Sequence, residues 1–309
     1  MHCITKISPI VLFVYNRPAH TVETINALSN NILASESDLH VFSDAAKIDD
    51  DKIEVDKVRK IIRNITGFKN IFIVEQKINL GLAQSIVQGV TSICERYGRV
   101  IVLEDDIVTS KYFLQYMNDA LKFYAETADV MHISGYRYPV KNIFSNDTFF
   151  LHVPMCWGWG TWQRSWVNFN RKLNLLENFN DQSIFKFNFN NSYPYWRQIE
   201  LNKAGLISTW FVFWYAILFL EKKLVLFPSQ SLVQNIGVDG SGTNTRGVSF
   251  DYSVKLTTLP IIVKEIPLVE SVEAYKVHCE YFTSLNRSII KRFFNKLMIY
   301  FYFFKKKYD

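Results

Sequence analysis

Two stretches of the chain hold apolar residues without alternation, and they constrain most of what it can become. Val100, Ile101, Val102 and Leu103 run into three consecutive acids, Glu104, Asp105 and Asp106, within the segment Arg99 to Ser110. Pro9 to Tyr15 (PIVLFVY) is a second such run and ends in Asn16-Arg17-Pro18. A strand with one face in water alternates, so unbroken runs of this length suit central strands of a parallel sheet covered on both faces. In open α/β sheets ligands bind beyond the carboxyl ends of such strands. The three acids therefore stand where a ligand would sit.

Adjacent carboxylates repel one another unless they are solvated or share a cation. Mg²⁺ or Mn²⁺ takes oxygen ligands, typically one or two carboxylates plus substrate phosphates, which makes a metal gripping a diphosphate the functional reading. The plainer reading is a strand end with solvated acids, followed by a helix capped by Thr109 or Ser110. An Asp106 inside a salt bridge with a nearby lysine or arginine, or turned away from any cavity, would remove the physical footing of a transferase assignment.

The rest of the first half repeats one unit. Helical spacing at Val22, Ile25 and Leu28 follows the first strand, and Leu39 to Phe42 makes a second strand ending in Ser43-Asp44-Ala45-Ala46. A charged helix over Asp49 to Arg63, a strand over Asn70 to Glu75 and a helix carrying Ile86, Val90, Ile93 and Tyr97 lead to the acidic strand. This β-α-β-α-β-α-β order calls for a mostly parallel, Rossmann-like α/β sheet flanked by helices. At its strand ends Arg17 could pair with a phosphate or stand as a surface arginine. Asp44 could accept from a nucleoside's ring N–H or ribose hydroxyls, or cap a helix. Gly81, after Asn79, could permit close approach to a sugar or open the helix. Neither GxGxxG after the first strand nor GxxxxGK[ST] occurs, so a bound diphosphate would depend on the metal.

Beyond Asp106 the pattern gives a helix over Ser110 to Tyr124, strands at Val130 to Ser134 and Phe149 to Val153, and the run Cys156-Trp157-Gly158-Trp159-Gly160-Thr161-Trp162. That run makes a poor helix and an awkward strand; a packed aromatic platform at the cleft floor suits it, although tryptophans also fill cores. Two helices joined near Gly205 span Tyr195 to Leu220, then comes a strand at Leu224 to Phe227 and a glycine-rich loop from Gln234 to Thr245. The loop either closes over a ligand or lies free on the surface. Trp210 to Leu220 is too short to span a bilayer and reads as a buried helix.

With 309 residues, 49% hydrophobic and 16% aromatic, the chain suits one large folded domain. The net charge of +6 collects at the end, where Arg287, Lys291, Arg292, Lys296 and Lys305 to Lys307 alternate with Ile289, Ile290, Phe293, Phe294, Leu297, Met298 and Phe301. A basic amphipathic helix of this kind suits an anionic membrane surface better than nucleic acid, at about 1 kcal/mol per charge; a helix docked on the core is the alternative. Four scattered cysteines with no CxxC suit reduced thiols in the cytoplasm rather than zinc, and the first residues lack the pattern of a signal peptide.

Four segments in this order, NLGLAQSI (Asn79 to Ile86), VLEDD (Val102 to Asp106), CWGWGTW (Cys156 to Trp162) and SLVQNIGVDGSGT (Ser231 to Thr243), resemble the GT-A glycosyltransferases. Within them the resemblance is to the N-acetylglucosaminyltransferase I-like enzymes and a group of bacterial polysaccharide glycosyltransferases, over about Ile10 to Thr245. The resemblance implies a DXD-type motif in which Asp106 coordinates Mn²⁺ or Mg²⁺ with the donor diphosphate while Glu104 and Asp105 face ribose and sugar. It places Asp44 at the nucleobase, Tyr15, Asn16, Arg17, Asn79 and Gly81 around a nucleoside-diphosphate sugar, UDP-sugar favoured, and Trp157, Trp159 and Trp210 toward the acceptor. Residues 1–250 would be the catalytic domain, divided near 125 into donor and acceptor halves, followed by an extension (251–285) and the basic tail (286–309). Related inverting enzymes carry an aspartate base between two tryptophans. Here Phe211-Val212-Phe213 fills the interval between Trp210 and Trp214, so Asp239 in the closing loop becomes the candidate base, with Glu200 second.

The implied activity is inverting, metal-dependent transfer of a sugar to a saccharide or lipid-linked saccharide in surface polysaccharide synthesis, at the cytoplasmic face of the membrane. A sugar-phosphate nucleotidyltransferase is the competing enzyme class, but YNRPAH lacks its glycine-rich basic loop. A catalytically inactive carbohydrate-binding homologue is the non-enzymatic alternative.

Overall fold

The two apolar runs become neighbouring strands at the centre of the sheet. In a computed structural model, which describes residues 7–141, 146–169, 171, 173–239 and 252–285, β1 (Ile10–Val14) and β4 (Arg99–Glu104) pair in parallel, with Leu12 opposite Leu103 and Phe13 opposite Glu104. All five residues of β1 are buried, as expected for a strand covered on both faces. β2 (Asp38–Ser43) and β3 (Asn70–Glu75) extend the parallel sheet on the other side of β1.

Helices α1 (Pro18–Ser29), α2 (Lys52–Ile62) and α3 (Leu82–Tyr97) make the crossovers. Pro18 supplies the fixed φ that suits a first helical turn. α3 turns Ala83, Ile86, Gly89, Val90, Ile93 and Cys94 inward. Gly89 lets it approach β1 closely, because a Cβ there would lie 2.7 Å from Phe13 Cζ.

After β4 the chain forms β5 (Ile107–Thr109), α4 (Phe113–Phe123), β6 (Val130–Ser134), β7 (Thr148–Leu151) and β8 (Trp159–Trp162). The short helices α5 (Gln163–Trp166) and α6 (Asp181–Phe187) precede α7 (Tyr195–Lys203), α8 (Phe211–Leu220), β9 (Leu224–Pro228) and β10 (Val233–Asn235). The eight-stranded sheet runs β3-β2-β1-β4-β8-β6-β9-β7. β8 and β7 are antiparallel to their neighbours and the other strands are parallel to one another. The protein is thus a mixed α/β structure with a large, mostly parallel central sheet flanked by helices.

The Trp-rich run departs from the expected platform. Trp159 to Trp162 form the strand joining β4 to β6, and all four residues are buried. Gly160 permits this, since a Cβ there would lie 3.1 Å from the Val100 carbonyl oxygen and 3.0 Å from Met117 Cε. The spacing reads poorly as a strand because one facing position carries no side chain.

Beyond residue 252 the chain has little regular structure until a ninth helix, α9, over residues 272–285. It is fastened by Thr257 N–H to the Ser231 carbonyl (3.0 Å) and Ser271 N–H to the Phe150 carbonyl (2.9 Å). Ile261, Ile266, Ala274 and Phe282 join the one apolar cluster that includes β1 and β4. Among the described residues no helix is long and apolar enough to cross a membrane. The expected tail (286–309) and the part of the glycine-rich loop from Gly240 to Thr245 lie outside the described residues.

Candidate active site

Chain order fixes where the site forms. The chain leaves β1 for β2 and β3 on one side and returns to β4 on the other, so the crossovers above β1 diverge and leave a crevice at its carboxyl end. Tyr15-Asn16-Arg17 leave β1 there, and Glu104-Asp105-Asp106 end β4 beside them. The turn between β1 and α1 is pinned: Thr21 donates to the Arg17 carbonyl through both N–H (3.0 Å) and hydroxyl (2.8 Å). Thr24 donates from the next turn of α1 to the Asp105 carbonyl (2.9 Å).

From this turn the Arg17 guanidinium folds back over the acids. Its Nη2 donates to Asp105 Oδ1 and, at 2.8 Å, to Asp106 Oδ2. The second Asp105 oxygen accepts from the Tyr15 N–H at 3.3 Å. Asp106 thus sits in a salt bridge with a local arginine, the arrangement named above as taking the physical footing from a transferase assignment. The pairing is incomplete, however. Asp106 is 8% exposed, and its Oδ1 is buried with no hydrogen-bond partner among the described residues; Arg17 Nη1 is in the same condition.

The charges do not balance. Burial pushes the Glu104 carboxyl well above the usual carboxylate range, and the Asp106 and Asp105 charges push it further. Burial raises Asp105 as well, against the pull of Arg17. Burial opposes the guanidinium charge of Arg17, but the two aspartates outweigh it and hold the group firmly protonated. One guanidinium bridges Asp105 and Asp106, and among the described residues Arg17 is the single cation that lowers Glu104 and Asp105. Carboxylates raised by burial and mutual repulsion would regain their charge beside a further cation.

These residues fit a hard divalent ion of the Mg²⁺ or Mn²⁺ kind. Asp106 Oδ1 is a buried acceptor without a donor, and Glu104 stands half-buried at the strand end. Among the described residues no three acidic, histidine or cysteine groups converge as a ready-made cage. A metal here would take only one or two protein carboxylates, the number usual where substrate phosphates supply the rest.

A second segment closes the crevice from the far half of the chain. β10 pairs antiparallel with β5, setting Asn235 opposite Ile107, and Ile236 N–H donates to the Asp106 carbonyl at 2.9 Å. Gly237, held by its N–H to Asn235 Oδ1 (2.7 Å), lies directly on the ion pair. A Cβ on Gly237 would meet Asp106 Oδ2 and come within 2.6 Å of Arg17 Nη1. Asp239 ends the tight turn Gly237–Asp239, so its backbone is two residues from that contact; its side chain is outside the described set.

Toward β2 and β3 the acceptors are already committed. Asp44 Oδ1 accepts from the N–H groups of Ala45 and Leu80 (both 2.9 Å), and Oδ2 accepts from Gly81 N–H (2.9 Å) and Asn79 Nδ2 (3.1 Å). The carboxylate shapes the turn entering α3, where Gly81 takes a φ of +74°. With both oxygens used within the chain, Asp44 organises the pocket wall rather than presenting a free acceptor to a nucleobase. Tyr15 and Asn16 are likewise clasped, by hydroxyl and amide, to Asp51 Oδ2 (2.7 Å) and Oδ1 (2.9 Å). Burial and the Asp51 bond raise the Tyr15 phenol to about 12. Asp51 was missed from sequence because a DDD run at 49–51 looks like a solvated helix start.

The tryptophans separate into two groups. Trp159 is fully buried and Trp210 nearly so, stacked with ring centroids 5.1 Å apart. Neither offers a face to an acceptor, and both are corrected here to core residues. Trp157 is half-buried, with its ring meeting Tyr136 and Tyr252 at 4.7 and 5.5 Å. Its neighbour Cys156 has its thiol raised by burial and then by the Glu104 charge, which puts this run beside the acids. Phe211, Val212 and Phe213 pack in α8 with no group able to take a proton, and Glu200 is exposed on α7.

The chain matches no protein-family model and no curated protein sequence. Solved structures similar to it include the mannosyltransferase PcManGT from Pyrobaculum calidifontis in complex with GDP-Man and Mn²⁺ (14% identity, 56% of this chain and 47% of that one, TM-score 0.34). Mouse xyloside xylosyltransferase 1 is similar over 70% of this chain and 82% of that one (9% identity, TM-score 0.37). S. aureus TarS is similar over 46% and 24% (16% identity, TM-score 0.31). The chain spans about half the length of the mannosyltransferase. At identities and superposition scores this low, what the protein does has to be read from its own residues.

Proposed function

We propose that the protein is a GT-A-type glycosyltransferase that moves a sugar from a nucleoside diphosphate, UDP favoured, to a saccharide or lipid-linked saccharide acceptor in surface polysaccharide synthesis, with Mn²⁺ or Mg²⁺ at the acids. The observation that supports it most is the under-neutralised carboxylate cluster at the switch point of the sheet, with Asp106 Oδ1 buried and unpartnered. When bound, the metal supplies Lewis-acid stabilisation of the departing diphosphate. Asp106 would hold it, with Glu104 beside it. Tyr15, Asn16, Asn79 and Gly81 would form the nucleoside wall that Asp44 and Asp51 keep in shape. Trp157 remains as the acceptor-side aromatic, Asp239 is the candidate base on an inverting path, and the basic tail would rest on anionic lipid at the cytoplasmic face.

A second reading draws on a specific observation, the Arg17 pair: a metal-independent transferase in which the guanidinium itself neutralises the diphosphate. One experiment separates the two. Thermal unfolding is followed with a panel of nucleotide-sugars, with and without Mn²⁺, for the wild type and Asp106→Asn. A ligand at a hundredfold excess over its Kd stabilises by about 2.7 kcal/mol. The metal-dependent reading requires one donor to stabilise only with Mn²⁺, and Asp106→Asn to lose the effect. Equal stabilisation without metal favours the second reading, and no stabilisation by any donor refutes both.

A further inference from the structure

We propose that Arg17 is the site's built-in counter-ion, occupying the carboxylates in place of the divalent cation and competing with it for Asp106. The inference rests on the metal-dependent reading and adds a positioning residue to it.

Four features carry it. Arg17 reaches both aspartates through Nη2 alone, while Nη1 is buried without a partner. An arginine whose end use is a carboxylate pair ordinarily engages it with two parallel N–H groups; this one leaves half its fork idle. Asp106 likewise spends Oδ2 on the pair and leaves the buried Oδ1 unused. The backbone of the turn is fixed through Thr21 and Thr24, so the guanidinium leaves the acids by side-chain rotation and not by movement of the turn. Gly237 covers the pair from the other half of the chain without any side chain in the way.

A guanidinium and a divalent ion cannot share these oxygens without direct repulsion. The guanidinium keeps the acids from being left bare in low-dielectric surroundings. Once displaced, its planar fork is free for a phosphate, which it matches bidentately. A purely structural ion pair predicts the opposite result on removal of Arg17: the crevice loosens and every ligand binds more weakly.

The test is direct Mn²⁺ binding to the full chain without nucleotide, read by loss of the free Mn²⁺ electron paramagnetic resonance signal, for wild type, Arg17→Met and Asp106→Asn. Arg17→Met is expected to bind Mn²⁺ about tenfold tighter than wild type, and Asp106→Asn to abolish binding. Equal or weaker binding by Arg17→Met, with Asp106→Asn still abolishing it, overturns the counter-ion role and leaves the metal site standing. Binding that survives Asp106→Asn, or that is absent from wild type and Arg17→Met alike when UDP is also supplied, overturns the metal reading itself. Should Arg17→Met fail to fold, the wild type decides: Mn²⁺ is expected to speed phenylglyoxal labelling of Arg17 several-fold, measured by mass spectrometry, and an unchanged rate refutes the exchange.

Discussion

His132, at the centre of β6, offers a quantitative check on the packing around β6, β8 and α8. Its Nδ1 accepts from the Trp214 indole N–H at 3.1 Å, and its Nε2 lies 3.0 Å from the Met155 carbonyl oxygen. Nδ1 is therefore the acceptor and Nε2 carries the hydrogen, so the ring is neutral. It stacks on Trp159 at 5.1 Å and is fully buried. A second ring proton would point into the indole N–H, and burial lowers the pKa to about 3. An unfolded histidine titrates near 6.5. The folded pKa is the depressed one, so the stabilisation is complete above pH 6.5 and is lost as pH falls. At pH 5, about 1.5 units below that reference, the loss is about 2 kcal/mol at 1.36 kcal/mol per unit. Glu104 and Asp105 also titrate, so the comparison is with His132→Gln, whose lost ring packing is independent of pH and which removes this ionisation. Urea unfolding at pH 7 and pH 5 should show wild type losing about 2 kcal/mol more than His132→Gln. A difference between the two proteins that stays constant across this range would refute the neutral, locked ring.

Gly237→Ala would place a methyl group within 2.6 Å of Arg17 Nη1, and overpacking of this kind costs about 1–3 kcal/mol. A displacement near 1 Å at a reactive site can lower turnover about a hundredfold, so donor hydrolysis with Mn²⁺ should fall far more than the Tm, and wild-type values for both would contradict the described contact. Asp44→Ala removes the shared acceptor of three backbone N–H groups and one side-chain amide and should cost at least about 2–3 kcal/mol in urea unfolding; a smaller loss would mean that water replaces the carboxylate there. Asp239→Asn should lower turnover while leaving the donor's Kd unchanged, and unaltered turnover would remove Asp239 as the base.

The first half of the chain was legible in the sequence because its central strands β1 and β4 are buried on both faces and its helices carry one apolar stripe each. PIVLFVY and RVIVL could be little else, and the acids follow directly from the end of the second. The partner of those acids was not legible. Arg17 is in the sequence at a strand end, but its orientation over Asp105 and Asp106 depends on the parallel register of β1 and β4, which no local pattern specifies. The same holds for Gly237, more than a hundred residues from Asp106 in the chain and drawn to it by the pairing of β5 and β10. Trp159 and Trp210 misled because aromatic residues look the same in a core and on a sugar platform. The deciding fact is β8's place between β4 and β6. Asp44 was placed at the right strand end, yet its oxygens are claimed by the turn at Asn79 to Gly81, a tertiary demand that a carboxylate at a strand terminus does not advertise.

The small ladder of β5 and β10 has a mechanical consequence. Its last register pair, Asn235 and Ile107, adjoins the acids on one strand and Gly237 on the other, so the two walls of the crevice are stitched together at their base. That seam, with the Ile236 N–H to Asp106 carbonyl bond beside it, fixes how closely the segment carrying Gly237 approaches the end of β4.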